Sequence, residues 1–167
     1  MNAPKRECLP LQQVLDTVTG VEQDVLKFYD AAAGVTSDHE VLRTFGRLAD
    51  DLRQSGAQFS AVCESLSCGD SSLEATEADL GFLSVLAESL FYRPAGDILG
   101  LADPGQQLIK LTDNALALER DLLLFHTQFH GFSCESQRPV FRELIQRGHE
   151  RVSILVTLRQ TLLKRIR

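Results

Sequence analysis

Four long amphipathic segments, an internal repeat and the lack of period-two alternation predict an all-α chain. The architecture expected is a four-helix bundle of two helical hairpins, joined by a long crossover that contains a short helix. At 167 residues with 44% hydrophobic and 24% charged side chains, the chain suits one domain over residues 1–167 that builds its core without disulfide or metal staples.

The first helix is expected over Leu9 to Ala33, where Leu11, Val14, Val18, Val21, Val25, Phe28 and Ala32 recur three and four apart and Gly34 supplies a stop. The second is expected over Asp38 to Leu66, with one stripe of Leu42, Phe45, Leu48, Ala49, Leu52, Gly56, Phe59, Val62, Cys63 and Leu66. Residues 67–79, polar and acidic, read as a connecting loop. A short helix is expected over Ala78 to Tyr92, its apolar side being Leu80, Leu83, Leu86, Ala87 and Leu90, with Arg93-Pro94-Ala95-Gly96 ending it. The third long helix, Pro104 to His130, turns Leu108, Leu111, Ala115, Leu118, Leu122, Phe125 and Phe129 inward. Leu116, Leu123 and Leu124 widen its apolar surface, which calls for cover by the crossover or a second subunit. The fourth spans Arg138 to Arg165 on Phe141, Leu144, Ile145, Val152, Leu155, Leu158 and Leu162, and its cationic KRIR end offsets the helix dipole.

Charge and composition exclude several function classes. A net charge of -6 with no basic run before the tail argues against nucleic acid or an anionic membrane as partner. No run is apolar for long enough to span a bilayer, and MNAPKRECLPLQQVLD lacks the apolar core of a signal peptide, so a cytoplasmic protein is expected. Cys8, Cys63, Cys68 and Cys134 form no C-x-x-C pair, which gives no support to zinc ribbons, rubredoxin-type iron or thioredoxin chemistry. Cys63 reads as a reduced core thiol and Cys68 as an exposed loop cysteine.

The two halves superimpose in sequence. Glu22 is followed by Phe28-Tyr29 and then Phe45 and Leu48-Ala49, and Glu119 by Phe125-His126 and then Phe141 and Leu144-Ile145. Glu22, between Val18 and Val25, and Glu119, between Ala115 and Leu122, both fall on buried stripes. In VEQDVLKFYDAAA with FGRLADDLRQS, and LERDLLLFHTQF with FRELIQRGHERVSIL, the chain resembles the rubrerythrin-like branch of the ferritin-like superfamily over nearly its whole length.

That resemblance implies a di-iron or di-manganese centre held by two lone glutamates and two Glu-x-x-His motifs. Glu22 and Glu119 match the lone glutamates. Leu52 and Ser55 stand where the first Glu-x-x-His would be, and Gly148 and Arg151 where the second would be. A one-residue slip to Asp51 with Gln54, or Arg147 with Glu150, rotates Leu52 off its stripe; Gln146 with His149 is a further candidate pair. His126, two turns from Glu119, is too far to share a metal with it and is expected to border the core at the level of Tyr29. Arg151 is expected to supply the missing positive charge between the glutamates.

The resemblance therefore implies a protein with a degenerate centre and no cofactor, in a binding, regulatory or structural role. The alternative is an iron or manganese oxidoreductase using Glu22 and Glu119 with some of Asp51, His149 or Glu150. With no rubredoxin-like domain it would need an external electron donor. A homodimer is the expected assembly.

Overall fold

The computed structural model describes residues 7–66, 72–75, 81–82, 85, 103–133, 135 and 138–166, with side chains from residue 16 onward except 17, 62–66, 72–75 and 132. Four long helices dominate it: α1 (Leu11–Val35), α2 (His39–Leu66), α3 (Pro104–Phe132) and α4 (Arg138–Ile166). Among the described residues no helix is long and apolar enough to cross a membrane.

The helix ends follow their capping chemistry. Asp38 is the cap of α2, its Oδ1 accepting from the backbone N–H groups of Glu40 and Val41 at 3.0 Å. Asp103 caps α3 in the same way through the N–H of Gly105, with Pro104 at the first helical position. Gly34 does not stop α1, which runs on to Val35; no described glycine has the positive φ of a left-handed cap. At the far end of α4, Arg165 reaches Asp38 at 3.0 Å and also contacts Glu40, tying the last turn to the start of α2.

Two expectations need correcting at the edge of the bundle. Glu7–Pro10 is a strand, β1, so α1 starts two residues after the predicted Leu9, and Ser72–Ala75 within the expected loop is a second strand, β2. They pair antiparallel with Glu7 opposite Ala75 and Pro10 opposite Ser72. Four-residue strands are too short to carry a recognisable alternation, and backbone pairing is blind to side-chain pattern.

Gly81, Phe82 and Val85, in the expected short helix, are helical and exposed. The rest of that segment, with Leu80, Leu83, Leu86, Ala87 and Leu90, lies outside the described residues. So do Cys68, Cys134 and the side chains of Cys8 and Cys63.

Each helix packs on two others, closing a ring in the order α1, α2, α4, α3. The core holds Val18, Val21, Val25, Phe28 and Ala32 of α1, Phe45, Leu48, Ala49, Leu52 and Phe59 of α2, Leu111, Ala115, Leu118, Leu122, Phe125 and Phe129 of α3, and Phe141, Leu144, Leu155, Leu158 and Leu162 of α4. Neighbours around the ring are antiparallel, so α2 and α3 run in the same direction. The end of α2 and the start of α3 therefore lie at opposite ends of the bundle, about one helix length of ~40 Å apart.

Aromatic contacts repeat with the sequence halves. Phe28, Tyr29 and Phe45 form one edge-packed group. Phe125, Phe129 and Phe141 form the other, with Phe129 and Phe141 stacked at 5.9 Å.

Candidate functional site

The two lone glutamates and the residues at the four replaced ligand positions are at or near the centre of this ring. Glu119 is 0% exposed, Glu22 3% and Arg151 2%, while Leu52, Ser55 and Gly148 are also buried. Burial of this many charges requires partners, and the two glutamates find different ones.

Glu119 is fully engaged. Its Oε1 accepts from the Tyr29 hydroxyl at 2.6 Å and its Oε2 from Nε of Arg151 at 2.8 Å. Nη1 of Arg151 continues to Oδ2 of Asp51 at 3.0 Å. The other oxygen of Asp51 takes Nη1 of Arg147 at 3.1 Å, and Arg147 also donates to Gln58 and Glu143. A charge-assisted chain thus runs from the core to the surface between α2 and α4. The space left by Gly148 is taken up by Leu123: a Cβ there would come within 3.1 Å of Leu123 Cδ1 but would only touch Nη2 of Arg151, at 3.8 Å.

Burial works against the charge of Arg151, but Glu119 and then Asp51 outweigh it, so the guanidinium is held charged beyond the ordinary arginine range. Burial first, and then the adjacent Glu119 carboxylate, raise Tyr29 well above the ordinary phenol value of about 10. Because the folded value is raised, the contribution of Tyr29 is complete below pH ~10 and is lost as pH climbs through the raised value. In an alkaline titration, the tyrosinate absorbance of Tyr29 should therefore appear only with unfolding. Tyr29→Phe should abolish that late step and cost about 1.5–3 kcal/mol in urea unfolding, the range for a buried hydrogen bond to a charged group. Titration of Tyr29 ahead of unfolding would contradict the burial argument.

Glu22 stands in contrast. Nε2 of His126 approaches its Oε1 at 3.5 Å, too far for a hydrogen bond. Its Oε1 and both ring nitrogens of His126 are buried without partners. Gly56 leaves space for the carboxylate; a Cβ there would come within 2.8 Å of Glu22 Oε2. Ser55, the counterpart of Arg151 in the first hairpin, turns its hydroxyl to the backbone oxygen of Asp51 at 2.8 Å.

The sequence repeat thus becomes a crossed pair of contacts. Tyr29 of α1 meets Glu119 of α3, and His126 of α3 faces Glu22 of α1. Each partner lies seven residues after the glutamate of its own helix. Compared with family models, with curated proteins and with solved structures, the chain matches none.

Several expectations change. His126 does not border the core at the level of Tyr29; it is 0% exposed and level with Glu22. Antiparallel packing of α1 and α3 moves it two turns from Tyr29. Arg151 bridges Glu119 to Asp51 rather than Glu119 to Glu22. Asp51, set aside in sequence because the slip would displace Leu52, joins the site while Leu52 stays buried. His149 and Glu150 are exposed and are not brought to the glutamates. Among the described residues no group of three or more His, Cys, Asp or Glu could hold a metal ion.

Proposed function

We propose that this chain is a ferritin-like, rubrerythrin-related bundle whose dinuclear centre has been replaced by a buried ion-pair network, leaving a binding, regulatory or structural role. The observation that carries this reading is Arg151, a permanent cation seated on Glu119.

A pair of metal ions does not fit this donor set. Both oxygens of Glu119 are committed to Tyr29 and Arg151. Leu52 and Gly148 bring no donor atoms, and a metal ion beside the Arg151 guanidinium would face like charge. The crossed Tyr29 and His126 contacts and the antiparallel ring support the ferritin-like arrangement. The exposed Leu124 and half-buried Leu116 and Leu123 on α3 support a homodimer built on that face.

Elemental analysis after aerobic reconstitution with iron or manganese tests the reading. The expected result is colourless protein without stoichiometric iron or manganese. Two such ions per chain, lost in Glu22→Ala, would overturn it in favour of an oxidoreductase with an unorthodox ligand set.

A further inference from the structure

The two halves of α1 are held in different ways. Seven residues, about 10 Å along the helix, separate Glu22 from Tyr29. At Tyr29 the hydroxyl donates to buried Glu119 at 2.6 Å, and one residue on, the exposed Asp30 accepts from Arg53 of α2 at 3.3 Å. At Glu22 the facing group is His126, and Glu22 Oε1 and both ring nitrogens of His126 are buried without partners. Such atoms keep their desolvation cost with no hydrogen bond to offset it. Among the described residues, the only side-chain hydrogen bond made between Val18 and Val25 is that of Asp24, and it stays within α1, from Lys27 at 2.6 Å. Packing of Val18, Val21 and Val25 is left to hold this half in place.

Local chemistry points the same way. Val18, Thr19, Val21 and Val25 are β-branched, and Gly20 is exposed in the helix interior, where a Cβ would meet nothing within 4 Å. These are weak helix formers. The other half has Leu26, Ala31, Ala32 and Ala33 beside the edge-packed rings of Phe28, Tyr29 and Phe45. Among the described residues α1 and α3 also share the smallest of the four helix–helix interfaces around the ring. The ribbon ahead of α1 adds little, since a pair of four-residue strands is marginal by itself.

We infer that residues 18–25 of α1 open as a unit while the Tyr29–Glu119 contact stays closed, which makes this half-helix a gate over the Glu22–His126 side of the interior. Opening breaks the backbone ladder of two helical turns and uncovers the His126 imidazole with the face that Val18, Val21 and Val25 cover. Water then reaches the unpartnered atoms, so the polar groups that lack hydrogen bonds in the closed state gain them in the open one. The fixed edge of the gate is Tyr29. Arg151 is not disturbed, because its contacts to Glu119 and Asp51 join α4 to α3 and α2. Elements that move are drawn from the least stable parts of a fold, and this segment combines unpartnered burial, weak helix formers and a small interface.

Native-state amide exchange on the full chain is the test, read at residues 19–25, at residues 29–33 and at Leu155 to Leu158 on α4. Residues 19–25 should be at least about tenfold less protected than the other two groups, with a step between Val25 and Tyr29. Tyr29→Phe separates local opening from global unfolding. It should lower protection on α4 by about tenfold or more, as loss of a buried hydrogen bond to a charged group does, and leave residues 19–25 unchanged, because their opening does not break the Tyr29 contact. Glu22→Met with His126→Leu should raise protection at residues 19–25. Even protection along α1, or a smooth decline toward Leu11 as in simple end fraying, would overturn the proposal. So would a fall at residues 19–25 in Tyr29→Phe as large as the one on α4, or no gain there in the double variant.

Discussion

Arg151→Met is expected to lower the free energy of unfolding by about 3–5 kcal/mol, the range for removing one partner of a buried ion pair. Methionine keeps most of the volume, so the loss is electrostatic rather than a cavity effect. Glu119 would keep only the Tyr29 hydroxyl as a partner, in a position with no access to water. Asp51 suffers less because its side chain is one-third exposed, and solvent screens what Arg151 no longer does. Urea unfolding, with the slope checked against the parent, measures the effect. If the loss comes from the stranded charge, removing that charge should reverse it. Arg151→Met combined with Glu119→Leu and Tyr29→Phe should return to within about 1 kcal/mol of the parent or exceed it, as apolar replacement of a complete buried pair does. A triple variant as unstable as Arg151→Met alone would show that the loss lies in packing. Arg151→Lys should fall between, since one ammonium cannot reproduce the fork that reaches Glu119 and Asp51 together.

What the sequence revealed depended on whether the signal was carried by one helix or by two. Spacing within a helix was enough to turn Glu22 and Glu119 inward, and counting onward from Ile145 placed Arg151 inside. The same counting placed Leu52, Ser55 and Gly148 against the core. Asp51 entered the sequence reading only as an alternative ligand, because the test applied to it concerned backbone rotation. A residue 100° from the stripe does not enter the core, but a guanidinium on a long side chain can leave the core to meet it. His126 was misplaced for a different reason. Its distance from Glu119 along α3 is legible, but which turn of α1 lies opposite depends on the antiparallel packing between hairpins, which no single segment records. The Glu7–Pro10 and Ser72–Ala75 ribbon escaped because its information is in backbone hydrogen bonds. The lack of partners for the nitrogens of His126 has no sequence signal, because burial without partners is a property of the packed bundle.

Replacing Glu22 and His126 together should have the opposite sign. Glu22→Met with His126→Leu is expected to raise the free energy of unfolding by about 1–4 kcal/mol in metal-free protein, because it exchanges incompletely satisfied buried polar groups for apolar ones of similar size. Glu22 Oε1 and both nitrogens of His126 lack partners, so little hydrogen bonding is lost. The leucine side chain enters a wall already built from Phe125 and its neighbours, the ring of Phe125 being centred 6.5 Å from that of His126. His126→Leu alone should be destabilising, since it leaves the buried Glu22 carboxylate facing an apolar side chain. The two substitutions are therefore strongly non-additive, and the cycle of single and double variants measures their coupling directly. If the double variant were instead less stable than the parent, the Glu22–His126 pair would be contributing net attraction across 3.5 Å.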